Sequence, residues 1–215
     1  MKLEKAREQL VAYGRQMSAA GLSTGTSGNL SIYDPEEGLM AITPSGLDYF
    51  SLTAEDVVVT DLEARVVEGT RKPSSEWALH TLFYKRHSEA RAVVHTHSMF
   101  CTTLAVLGQP IRAVHYAIAG AGVAEVPCAP YRLFGTEELA EQAVETCGDG
   151  RAVLLGNHGL VAWEESLPKA YALARDLEFV AELQWRAAAV GQANVLTGEQ
   201  MAAALKRYET YGQQK

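Results

Sequence analysis

A chain of 215 residues, 47% apolar and 21% charged, is long enough to bury a core, and its composition excludes a disordered protein. Its net charge of −7 comes with no lysine–arginine cluster, which excludes an electrostatic footprint for nucleic acid or an anionic membrane. The three cysteines, Cys101, Cys128 and Cys147, are odd in number and far apart, so they predict no disulfide framework and a reducing, cytoplasmic setting.

Leu3, Leu10, Val11, Gly14 and Met17 fall at helical spacing and predict a surface helix ending near Gly21. Glu4 and Glu8 among its lysines argue against a targeting segment, and no run reaches the length of a bilayer span. A small-residue loop follows, Gly25-Thr26-Ser27-Gly28-Asn29. Short strands are predicted at Leu30–Tyr33, Leu39–Ile42, Val57–Val59 and Ala64–Val67, with Thr43-Pro44-Ser45-Gly46 closing the first pair. A helix is predicted from Glu76 to about Arg86, with Ser74 as its N-cap, and a strand from Ala92 to His97. Further along come a helix from Thr136 through Val144 and a buried strand, Ala152–Leu155. The turn Gly156-Asn157-His158-Gly159 then leads to a return strand, Leu160–Trp163. A long helix from Ser166 to about Val190 should stop at Gly191, and a last one spans Gly198–Tyr208. No repeat or linker interrupts the pattern, so 1–215 reads as one α/β domain with helices flanking a mixed sheet.

Side chains two apart on a strand share a face, so His95 and His97 can meet one ion. His158, in a glycine-flanked turn after a buried strand, is a third candidate, and three neutral imidazoles suit zinc. His-x-His alone is equally a chance pair on a half-exposed strand. His80 and His87, seven apart on the helix after Glu76, read as partly buried or surface residues, and His115 as a packing or hydrogen-bonding one. The 25–29 loop and the helix start at Ser74-Ser75 offer hydroxyls and free N–H groups suited to a phosphate, although a tight turn and an N-cap explain them too. The loop is neither a P-loop nor a dinucleotide fingerprint.

The ordered series G-T-S-G-N, T-P-S-G, P-S-S-E-W, V-V-H-T-H, V-H-Y-A-I-A, V-P-C-A-P-Y-x-L-F-G-T, G-N-H-G-L and Y-E-T-Y-G, from about residue 5 to 212, resembles the class II aldolase and adducin-like family. The resemblance implies a three-layer α/β/α fold with a central, mostly antiparallel mixed sheet, assembled as a homotetramer. It implies one zinc per subunit on His95, His97, His158 and Glu76, with Glu76 displaced by substrate and then serving as acid and base. Phosphate contacts would come from Thr26, Gly28, Asn29, Ser45, Gly46, Ser74 and Ser75. Tyr116, from a neighbouring subunit, and Tyr211 would protonate or stabilise the aldehyde oxygen. The implied reaction is reversible cleavage of a ketose 1-phosphate, L-fuculose 1-phosphate foremost, to dihydroxyacetone phosphate and an aldehyde such as lactaldehyde. Alternatives within the same resemblance are a ribulose-phosphate 4-epimerase or another sugar-phosphate lyase, and a non-catalytic adducin-like scaffold. Two departures, Gly156-Asn157 before His158 and Tyr208 near the tail, fall toward the substrate's variable end.

Overall fold

Eight strands make one sheet in the computed structural model, which describes residues 1–208. They are β1 (Asn29–Asp34), β2 (Leu39–Ile42), β3 (Val58–Thr60), β4 (Val66–Glu68), β5 (Ala92–Thr96), β8 (Cys128–Ala129), β9 (Ala152–Leu155) and β10 (Gly159–Glu164), in spatial order β4-β3-β2-β1-β5-β10-β9-β8. Every neighbouring pair is antiparallel except β8–β9. A separate two-stranded ribbon pairs β6 (Ile111–Arg112) with β7 (Glu125–Val126).

Strand alternation sorts the core into two layers. Leu30, Ala92, Val94, Leu154, Leu160 and Ala162 pack on one side, with α1 (Glu4–Ala19), α3 (Met99–Val106), α5 (Leu167–Val190) and α6 (Gly198–Tyr208). Met40, Ile42, Val93, Val153, Leu155 and Val161 face the other side, where α2 (Trp77–Arg86) and α4 (Glu137–Cys147) lie. The result is the expected three-layer α/β/α architecture with a mixed, mostly antiparallel sheet.

Several local expectations are corrected. Glu76, not Ser74, occupies the N-cap of α2, and Ser74 Oγ instead accepts the Glu76 N–H at 3.2 Å, in a turn before the helix. Gly191 follows α5 in an extended conformation (φ 174°) open to any residue, not in a left-handed cap. The helix α3 and the short strands β6, β7 and β8 went unpredicted. The α3 sequence MFCTTLAV has no amphipathic period, and its N-terminus is capped from afar: Glu178 of α5 accepts from Ser98 Oγ and from the N–H groups of Phe100 and Cys101 at 2.6–2.9 Å.

Candidate metal centre and anion-binding cleft

Three strands bring the ligating groups together. Val93 packs in the α2–α4 layer, so His95, two residues on, points the same way, and His97 follows just past the strand end. His158 sits in the β9–β10 turn, where Asn157 adopts a left-handed φ of 55°. Strand β10 lies so close to β5 that a Cβ on Gly159 would stand 2.2 Å from the Thr96 carbonyl oxygen. Glu76 arrives from the helix layer that His95 faces, at the N-cap of α2.

The ligating atoms of Glu76, His95, His97 and His158 all lie within 4.8 Å of one another. The three imidazoles meet pairwise edge to face with centroids 4.8 Å apart. Nε2 of His95 is 2.9 Å from Nε2 of His97 and 3.3 Å from Glu76 Oε2, and His158 Nε2 is 3.4 Å from Glu76 Oε1. The Nδ1–H of His95 donates to the Leu160 carbonyl at 3.0 Å, which turns its Nε2 toward the cluster.

The charges suit a dication. Burial, then the positive field of His95, pushes His97 down to about 3 and His158 down to about 4, so both are neutral imidazoles with a lone pair to offer. Burial opposes ionisation of Glu76, yet His95, His158 and the Asn29 amide together hold its carboxyl well below the usual range. Burial also opposes a charge on His95, but Glu76 outweighs it and raises that imidazole. Glu76 Oε1 is buried and has no hydrogen-bond partner among the described residues. Three converging imidazole nitrogens and an orphaned carboxylate oxygen make a donor set that fits a divalent metal, and nitrogen-rich ligation with one carboxylate suits zinc.

Beside this cluster lies a cleft of about 420 Å³. Thr26, Gly28, Asn29, Ser45, Gly46, Ser74 and Ser75 all line it, together with Glu76, His97 and His158. Gly28 has φ +74°, and a Cβ there would meet the His95 carbonyl at 2.7 Å, so only glycine lets the loop press against β5. Tyr49 fastens the same loop: its buried hydroxyl, pushed up to about 12 by burial, donates to the Gly28 carbonyl at 2.8 Å. Among the described residues, none lining the cleft is a lysine, and the one cation is Arg132.

Not every expected residue converges. Tyr116 stands half-exposed on a 3-10 turn (Tyr116–Ala121) and is absent from the cleft lining, and Tyr211 lies outside the described residues. His115 accepts the Ala117 N–H through Nδ1 and packs its ring at a tilt against Tyr116, in line with the expected packing or hydrogen-bonding role. His80 and His87 are corrected to buried positions. Tyr131, Arg132 and Phe134 join the cleft wall unforeseen, because only the fold brings the 131–134 loop beside His158, while Asn157, one of the departures noted in the sequence, lines it too.

Comparison with known proteins fits this geometry. Residues 8–185 match the family described as the Class II Aldolase and Adducin N-terminal domain. The chain is 46% identical to 5-deoxy-D-ribulose 1-phosphate aldolase of Bacillus thuringiensis serovar kurstaki, over 100% of both chains. It is 39% identical to L-fuculose phosphate aldolase of Escherichia coli K12, over 99% of this chain and 98% of that one. A solved structure of L-fuculose 1-phosphate aldolase superposes with a TM-score of 0.93 at 39% identity, covering 95% of this chain and 96% of the other.

Proposed function

Because the chain belongs to the class II aldolase and adducin N-terminal domain family, and is a metal-dependent aldehyde-lyase acting on sugar phosphates, we propose that it is a zinc enzyme. Its reaction is reversible cleavage of a ketose 1-phosphate with a terminal methyl group to dihydroxyacetone phosphate and a short aldehyde. The observation that carries this reading is the shared cleft, where seven small or polar residues suited to a phosphate adjoin the Glu76–His95–His97–His158 cluster. L-fuculose 1-phosphate and 5-deoxy-D-ribulose 1-phosphate, named in the relatives, both end in a methyl group, and the rings of Tyr131 and Phe134 give the cleft an apolar wall for it. The expectation of a ketose 1-phosphate with L-fuculose 1-phosphate foremost thus becomes a class in which 5-deoxy-D-ribulose 1-phosphate ranks equally.

Glu76, His95, His97 and His158 would hold the metal, which when bound supplies a Lewis acid for the substrate's hydroxyl and carbonyl oxygens. Hydroxyls and backbone N–H groups of Thr26, Gly28, Asn29, Ser45, Gly46, Ser74 and Ser75 bind the phosphate and fix the ketose's C1 end. Glu76 exchanges the proton on the dihydroxyacetone phosphate carbon through Oε1, the oxygen that accepts no hydrogen bond among the described residues. Among the described residues no lysine lines the cleft, so a Schiff base route finds no amine there. Tyr211, and Tyr116 from a neighbouring subunit of a homotetramer, serve the aldehyde oxygen. A single domain spanning 1–215 and a cytoplasmic setting complete the proposal, and no helix among the described residues is long and apolar enough to cross a membrane.

The test is a retro-aldol screen of both ketose 1-phosphates with and without chelator, reading dihydroxyacetone phosphate, beside pentulose 5-phosphates assayed for epimerisation. Cleavage that chelation abolishes and zinc restores is the expected result. Epimerisation without cleavage, or cleavage indifferent to chelator, overturns the reading.

A further inference from the structure

Behind Glu76, on the side away from the cleft, α2 and β1 carry two matched rows of side chains. Glu76, His80 and Tyr84 are four apart and project from one face of α2, with steps of roughly 6 Å along its axis. Asn29, Ser31 and Tyr33 are two apart on β1, with steps of roughly 6.6 Å. The near-equal steps let the rows interleave. Asn29 Nδ2 lies 2.9 Å from Glu76 Oε2, and Asn29 Oδ1 is in hydrogen-bond contact with His80 Nε2. His80 Nδ1 lies 2.6 Å from Ser31 Oγ, Ser31 Oγ lies 2.6 Å from the Tyr84 hydroxyl, and the Tyr84 ring stacks on Tyr33 at 5.1 Å.

The carboxylate dictates the direction of every bond in this chain. An ionised Glu76 only accepts, so Asn29 must turn its NH₂ toward it and its carbonyl toward His80. That carbonyl only accepts, so His80 carries its proton on Nε2 and leaves Nδ1 as an acceptor. Ser31 then donates to His80, and Tyr84 donates to Ser31. His80 is fully buried, and burial with the nearby positive field of His95 pushes it down to about 3, so it holds one proton and one tautomer. Of the other buried α2 residues, Ala78, Leu79 and Phe83 pack with apolar contacts and Thr81 bonds back to the Ala78 carbonyl at 3.2 Å, so packing alone does not call for a polar row reaching Glu76. The polar row ends on Glu76.

We propose that His80, backed by Ser31 and Tyr84, is a positioning residue that locks the Asn29 amide and thereby holds Glu76 Oε2, leaving Oε1 directed at the histidine cluster. The inference rests on the role proposed above for Glu76 in proton transfer. It concerns orientation, not a proton relay.

Two measurements test it, one independent of turnover. In ¹⁵N-histidine-labelled wild-type protein, His80 shows a single neutral tautomer protonated on Nε2. An Nδ1–H tautomer or an averaged mixture overturns the proposal, whatever the protein catalyses. In retro-aldol assays of the zinc-loaded protein, His80→Leu lowers kcat about 10–100-fold with KM little changed, the size usual for groups that orient a ligand. His80→Gln keeps an N–H donor of similar reach and restores most of the rate. A leucine variant with wild-type kcat, or a glutamine variant no better than leucine, overturns it. If the leucine variant does not fold, the tautomer and the glutamine variant still decide. Absence of aldol activity in the wild type would sink the functional reading, while the tautomer result still stands or falls by itself.

Discussion

Asn29 and His95 are register partners across the β1–β5 pair, and both reach the same oxygen of Glu76: Asn29 Nδ2 at 2.9 Å and His95 Nε2 at 3.3 Å. One sheet rung thus grips a carboxylate delivered by a helix from another layer. The amide donates to Oε2 while the imidazole helps keep the group ionised, and Oε1 is left without a hydrogen-bond partner.

Asn29→Ala releases Oε2 and strands the His80 Nε2–H. Weaker metal binding is expected, by about 10–100-fold, as for other losses of a group that orients a ligand. Stability should also fall by about 1–3 kcal/mol, the usual cost of a buried donor left unpaired. Chelator-competition titration measures the first effect and urea unfolding the second. Wild-type zinc affinity would show that the amide does not orient Glu76.

Two glycines test how closely the strands must approach. A Cβ on Gly159 lies 2.2 Å from the Thr96 carbonyl, where backbone must move on both sides, so Gly159→Ala should cost about 3 kcal/mol or more. Gly28→Ala combines a left-handed φ with a 2.7 Å approach to the His95 carbonyl, and should weaken zinc binding as well as stability. Unfolding midpoints and zinc stoichiometry read both. Either variant with wild-type midpoint and zinc content would contradict the close approach at its position.

Parts of this arrangement were legible before folding was considered. The His-x-His spacing was enough to place two imidazoles on one face, because strand period is local. The small-residue segments 25–29, 43–46 and 74–75 were legible as loops and a helix start; their gathering in one cleft needed the sheet order. His80 was misread because its spacing to His87 says nothing about which face meets Asn29 and Ser31, some fifty residues earlier in the chain. Helix α3 was missed for a similar reason: the carboxylate that caps it comes from Glu178, far along the sequence.

Acid should destabilise the metal-free protein through His80. Its folded pKa is about 3 against an ordinary 6.5, lowered first by burial, so between those values the unfolded chain binds a proton that the folded chain refuses. Stability is therefore greatest above about 6.5 and falls as pH drops, by about 1.4 kcal/mol per unit for this one proton. His97 and His158 add slopes of the same sign, Glu76 does so in its own, lower window, and His95, raised by Glu76, contributes one of opposite sign above about 6.5. Comparing wild type with His80→Gln by urea unfolding at several pH values, in chelator, isolates the His80 share. Identical slopes would mean that His80 takes up a proton while folded.

His87 offers a test remote from the cleft. Its ring is sandwiched between Phe83 at 5.9 Å and Trp163 at 4.4 Å, with both neighbours within 22° of parallel. Its Nε2 is buried with no hydrogen-bond partner among the described residues, and burial, then Arg86, holds the imidazole below its ordinary pKa. The stacking is apolar work that a phenyl ring performs equally well, while the orphaned nitrogen carries an unreturned desolvation cost of about 1–3 kcal/mol. His87→Phe keeps the stack and removes the nitrogen, with a small loss from the slightly larger ring. A net gain of about 1 kcal/mol is expected, raising Tm by roughly 2–4 °C for a chain of this size, with kcat and zinc affinity unchanged. Calorimetry of the two proteins decides it: a lower Tm for the phenylalanine variant would mean that Nε2 has a partner, such as a bound water, whose loss outweighs the relief.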